Sequence, residues 1–102
     1  MITHVVLLKI AKNVSDEDVD RVFEELSSLR SKIPGIVSYS GGTYASDEGL
    51  NRGYTHAFTF VFTDDKARNE YLPHPEHMRV KGHLIEVVEG GLDGICAFDY
   101  VS

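Results

Sequence analysis

The sequence contains one cysteine, Cys96, so no disulfide can close within the chain. Cys96 lies in the apolar run "GICAF", which predicts a buried and unreactive thiol. No apolar stretch approaches the roughly 20 residues that a membrane-spanning helix needs, so no membrane partner is expected. Repeats and low-complexity tracts are also missing. Positive charge is scarce: 10 Lys and Arg face 16 Asp and Glu, a formal charge of −6. The basic residues are scattered, without the stripe that binds a phosphate backbone, which argues against nucleic acid as a partner. The opening "MITHVVLLKI" is apolar but carries His4 and Lys9, and it lacks a cationic leader and a small-residue cleavage site. It reads as a strand, and the expected compartment is the cytoplasm.

What is present fits one domain over residues 1–102. A hydrophobic fraction of 42% and a charged fraction of 25% are ordinary for a globular chain of this size. Residues 2–10 alternate, with Ile2, His4, Val6, Leu8 and Ile10 on one side and Thr3, Val5, Leu7 and Lys9 on the other. Both sides are largely apolar, the first sign that a second subunit covers this sheet. "SDED" at 15–18 starts a helix with Ser15 as cap and acids in the first turn. Val19, Val22, Phe23, Leu26, Leu29 and Ile33 form its apolar face, and Pro34-Gly35 ends it.

A strand over 35–44 follows, with a bend or bulge expected at Gly41-Gly42. A polar loop covers 45–53, and "YTHAFTFVFT" at 54–63 is the strongest strand signal. A short helix over 64–71 is interrupted by Pro73 and Pro75. Pro75 then opens a second helix running to about Glu89, where Gly90-Gly91 stops it. Residues 94–101 make the last strand. This order predicts an α+β, ferredoxin-like antiparallel sheet with helices on one face. Its other face, with Val5, Leu7, Ala57 and Val61, needs a cover that a two-fold homodimer would supply, giving a dimeric α+β barrel.

"YLPHPEHM" (71–78) carries the candidate chemistry. At about 100° per residue, His77 falls at the centre of the stripe formed by Val80, Leu84 and Val88. That is an unusual place for a solvated histidine. Strand parity puts His4 with Ile2, Val6 and Leu8, and His56 with Phe58 and Phe60. Three imidazoles are thus expected in one apolar layer, where each nitrogen needs a partner. His74, beside the prolines, fits a cap or turn and is also a candidate substrate contact. His83 falls on the polar side and receives no role. "HPEH" spaces two histidines three apart with a proline between and no clear carboxylate or thiolate, so no metal site is expected.

These segments together resemble one family. "THVVLLK" (3–9), "IPGIVSYSGG" (33–42), "GYTHAFTFVF" (53–62), "YLPHPEH" (71–77) and "FDYV" (98–101) are similar to the Dabb family, the stress-responsive α/β-barrel domain. The resemblance implies a ferredoxin-like protomer that dimerises into a barrel. It also implies a cofactor-free reaction like that of a plant polyketide cyclase of the family, which performs an aldol cyclisation. On that resemblance His77 and Tyr71 would be catalytic, and His4, His56 and Phe23 would face a small-molecule ligand. Leu26 stands where that cyclase has an aromatic residue and Pro73 where it has an aliphatic one, so the substrate does not carry over. The expected function is acid–base chemistry on a small carbonyl compound; the alternative is a non-catalytic structural or ligand-binding stress protein.

Overall fold

A computed structural model describes residues 1–102. Strand β1 (Ile2–Leu8) is followed by helix α1 (Asp16–Lys32), strands β2 (Ile36–Thr43) and β3 (His56–Phe62), helices α2 (Asp65–Tyr71) and α3 (Pro75–Val87), and strand β4 (Ile95–Val101). A single 3₁₀ turn, Gly91–Gly94, precedes β4. The four strands form one antiparallel sheet in the order β2-β3-β1-β4, the ferredoxin-like arrangement predicted from the element order.

Local chemistry sets the helix ends. Ser15 Oγ accepts the Asp18 N–H at 3.1 Å, and Asp16, Glu17 and Asp18 occupy the electropositive first turn of α1. Asp64 caps α2 in the same way, accepting from the Ala67 N–H at 2.8 Å. His74 caps α3 through Nδ1, which accepts from the Glu76 N–H at 3.1 Å, while Pro75 fills the first helical position where no N–H is required. Gly35 turns the chain from α1 into β2 with φ +92°, and a Cβ there would lie 2.5 Å from Ala67 Cβ. No helix is long and apolar enough to cross a membrane.

Register decides which side chains face the helices. Ile2, His4, Val6 and Leu8 of β1 stand opposite Phe62, Phe60, Phe58 and His56 of β3, and opposite Val101, Asp99, Ala97 and Ile95 of β4. Val19, Val22, Leu26, Leu29 and Ile33 are buried over this face together with Tyr71, Val80 and Leu84. Burying them supplies the main drive to fold, at roughly 1.5–3 kcal/mol per large apolar side chain. Across the two long helices, Glu25 of α1 accepts from Arg79 Nη1 at 2.8 Å and lies 3.0 Å from His83 Nδ1.

The structure corrects four local expectations. β1 ends at Leu8 because Ile10 leaves the sheet to pair with Val88 in an isolated bridge. The same bridge ends α3 at Val87: the Glu89 N–H donates to Lys9 O at 2.7 Å and the Ala11 N–H to Val87 O at 2.9 Å. The irregularity in β2 lies between Ile36 and Ser38, not at Gly41-Gly42. Gly41 serves packing, since a Cβ there would come within 2.6 Å of Tyr39 Oη and 3.0 Å of Phe23. Finally, Cys96 is exposed, because its register opposite Leu7 puts it on the sheet face that no helix covers.

Candidate functional site

A cavity of about 270 Å³ opens between the sheet and α3. Its polar side chains are His4, Tyr71, His77 and Lys81, brought by β1, the end of α2 and one face of α3. Val6, Phe58, Leu26 and Leu84 make the apolar floor and wall, and Leu92, Ile95 and Ala97 close it from the β4 side. A space of this size, mostly apolar with a few convergent polar groups, fits a small organic ligand.

Tyr71 is 1% exposed and anchors the site. Its ring packs on Phe62 at 5.0 Å and Phe60 at 5.6 Å, and it lies tilted against the His77 ring at 4.0 Å. The Pro73 and Pro75 break separates the two elements: α2 stops at Tyr71, α3 restarts at Pro75, and His77 in its first turn meets the tyrosine ring. No group of the protein hydrogen-bonds Tyr71 Oη, and no buried polar atom is sealed off without a partner, so the hydroxyl is open to the cavity. Burial, and then the nearby Asp99 charge, push its ionisation well above the usual phenol range. It is a hydrogen-bond donor at neutral pH.

His77 is half-buried. Its Nδ1 lies 2.9 Å from Leu72 O, and a carbonyl can only accept, so this nitrogen carries the proton. The lone pair of the neutral ring therefore sits on Nε2. Burial holds the imidazole below its ordinary pKa, opposed by the Leu72 carbonyl and reinforced by the charge of Lys81. Neutral at pH 7, with one nitrogen fixed by backbone and the other unprotonated, His77 is a competent base.

His4 is tied differently. It is 9% exposed, and its Nδ1 lies 2.5 Å from Asp99 Oδ1, while Arg68 Nη1 donates to Asp99 Oδ2 at 2.6 Å. Burial tends to raise the Asp99 pKa, but the hydrogen bonds from His4 and Arg68 outweigh it and hold the carboxyl below the usual range. Neither Asp99 nor Arg68 is among the candidates named from the sequence. The signal for Asp99 is a lone acid in the inward parity of β4, between Ala97 and Val101; Arg68 carries no such signal.

The remaining candidates stand outside the cavity. His56 shares the helix-facing layer but lies at the far end of β3, beyond Phe58. It packs on Phe23 at 5.7 Å, and its Nδ1 is 2.9 Å from Thr55 Oγ1. Burial lowers its pKa, with Asp16 and Asp20 opposing. Phe23 meets Phe58 edge-on at 6.4 Å and lines a shallow surface depression on α1. His74 is occupied as the α3 cap. No group of three or more His, Cys, Asp or Glu side chains is arranged to hold a metal ion.

Residues 2–102 match the Stress responsive A/B Barrel Domain, Dabb. The chain belongs to that family. A curated Dabb relative, the stress-response A/B barrel domain-containing protein HS1 of Arabidopsis thaliana, is 29% identical over 97% of this chain and 87% of its own. Among solved structures, a dimeric ferredoxin-like protein of unknown function from a Jannaschia species is 29% identical, with a TM-score of 0.85 over 99% of this chain and 98% of its own. A hydroxynitrile lyase from Passiflora edulis also has a TM-score of 0.85, over 99% of this chain and 92% of its own, at 17% identity. That last likeness concerns the fold alone. In this Dabb chain, Tyr71, His77 and His4 are the sequence-derived candidates that meet at one cavity.

Proposed function

We propose that this Dabb protein is a cofactor-independent acid–base enzyme acting on a small carbonyl compound, and that it works as a homodimer. One observation carries the catalytic reading: His77 Nδ1 is committed to Leu72 O, which leaves Nε2 as a free base on a ring that lies tilted against the Tyr71 ring. In the proposed step, Nε2 removes a proton α to the carbonyl while Tyr71 donates a hydrogen bond to the oxygen that becomes the enolate. The enolate carbon then attacks a second carbonyl of the same molecule, and the His77 imidazolium returns the proton to the new alkoxide. This is an aldol-type cyclisation, and its reverse is a carbon–carbon lyase step. His4, fixed by Asp99, orients the substrate from the opposite wall. His56, Phe23 and His74 would contribute only through the wall they support.

The uncovered sheet face supports the dimer. Val5, Leu7 and Val61 lie on it beside Phe98, which is 67% exposed, and Tyr100, which is 49% exposed. An apolar face of this kind marks an association surface, and the Jannaschia neighbour is dimeric. Light scattering should give twice the protomer mass, and Phe98→Asp should shift it toward the monomer. A wild-type monomer at every concentration would refute the dimer.

The test of the chemistry is exchange of the α-protons of benzoylacetone into D₂O, followed by NMR. Wild type should accelerate exchange over buffer, and His77→Gln should lose about 10²–10⁴-fold while keeping its circular-dichroism spectrum. The second reading, a ligand-binding stress module, keeps the cavity without turnover and is favoured by the stress-response description of HS1. It predicts binding at His77 with no exchange above buffer.

A further inference from the structure

Lys81 is the one cationic side chain in the cavity lining, and that lining contains no Asp or Glu. It lies on α3 one turn beyond His77, and the i to i+4 spacing puts both on the same helix face. It is half-buried among apolar neighbours, and no carboxylate comes within ion-pair distance of its Nζ. Asp99, the acid that fixes His4, is already held by His4 and Arg68. Two basic groups on the exposed side of the helices are paired: Arg79 with Glu25 and Glu76, and Lys32 with Glu76. Lys81 therefore presents an uncompensated positive charge to a mostly apolar space, and a ligand carrying the opposite charge would complete it.

We propose that Lys81 binds an anionic group of the ligand, so that the substrate class is a small carbonyl compound bearing a carboxylate. This rests on the reading that the cavity is a small-molecule site, and it adds a specificity residue to it. The carboxylate would pair with Nζ while the ketone oxygen reaches Tyr71 and the α-carbon faces His77. A neutral ketone of the same shape would leave the lysine unmatched.

The test uses a matched pair of probes, benzoylacetate and benzoylacetamide, which differ in charge at nearly constant shape. Affinities are read from the backbone amide signals of His77 and Leu84 during NMR titration, for wild type, Lys81→Met and Lys81→Arg. Wild type should bind the acid about tenfold or more tightly than the amide, the scale of one hydrogen bond to a charged group. Lys81→Met, which keeps the apolar stem, should erase that preference and leave amide affinity unchanged; Lys81→Arg should retain it. Equal binding of acid and amide by wild type, a preference surviving Lys81→Met, or failure of both probes to move the cavity signals would each overturn the proposal. Proton exchange measured with benzoylacetone reports on His77 separately, because that probe has no carboxylate. Loss of exchange with the charge preference intact would refute the base and leave the anion site standing.

Discussion

Tyr71→Phe separates a functional hydroxyl from a structural one. The substitution keeps the ring and its contacts with Phe60, Phe62 and His77 and removes only Oη. A buried tyrosine that hydrogen-bonds inside its protein loses about 0.5–1.5 kcal/mol when the hydroxyl goes. Tyr71 Oη has no such internal partner, so its removal forfeits no bond and relieves some desolvation of a hydroxyl on a side chain that is 1% exposed. The unfolding free energy should therefore change by less than about 0.5 kcal/mol, or rise. For about 100 residues that is a melting shift within about 4 °C. Tyr71→Ala, which empties the ring's place, should cost about 3–5 kcal/mol. Urea and thermal unfolding at one fixed protomer concentration read both numbers. In the exchange assay Tyr71→Phe should lose about 10²-fold or more, the scale of one oxyanion donor. A stability loss above about 1.5 kcal/mol would show that the hydroxyl holds the fold together. Full exchange activity in a stable Tyr71→Phe would remove it from the mechanism.

Three further outcomes follow from the geometry. Because burial lowers the His77 pKa, its unprotonated base should be fully available at pH 7, and exchange activity should fall only as pH drops through a value below the usual imidazole range. The same shift contributes stability that is present above the unfolded pKa and lost as pH falls through the folded one, visible in urea midpoints between neutral and mildly acid pH. Asp99→Ala leaves Arg68 and His4 without their shared acceptor and should cost about 1.5–3 kcal/mol at neutral pH. Since the Asp99 pKa is lowered, that stabilisation is complete above the ordinary carboxylate value, and the gap to wild type should close in strong acid. Gly35→Ala combines a positive φ with a 2.5 Å approach to Ala67 Cβ, so it should destabilise by about 1–3 kcal/mol, measured as a lower melting temperature.

Sequence periodicity was a good guide wherever a single element determines the answer. The α1 stripe, the Ser15 cap and the inward aim of His77 each depend on one helix, and each is found in place. Strands laid side by side carry information that no single element holds. Parity alone set His4 and His56 on one face, yet only the register shows that Phe58 stands between His56 and the cavity. Parity also could not bring Arg68, distant in sequence and on another element, to Asp99. Cys96 failed for the same kind of reason: an apolar neighbourhood along the chain says nothing about whether a helix covers that sheet face. The two histidines at the cavity make the general point. Both were expected as buried imidazoles in one layer, but His4 faces a carboxylate held by an arginine, whereas His77 faces a backbone carbonyl and a lysine one turn away. Burial and a neighbouring cation favour the neutral His77 ring against the opposing pull of the Leu72 carbonyl, and that carbonyl, by holding the Nδ1 proton, leaves the lone pair on Nε2. The division of labour proposed for them, one orienting and one accepting protons, therefore comes from their partners and not from the histidines themselves.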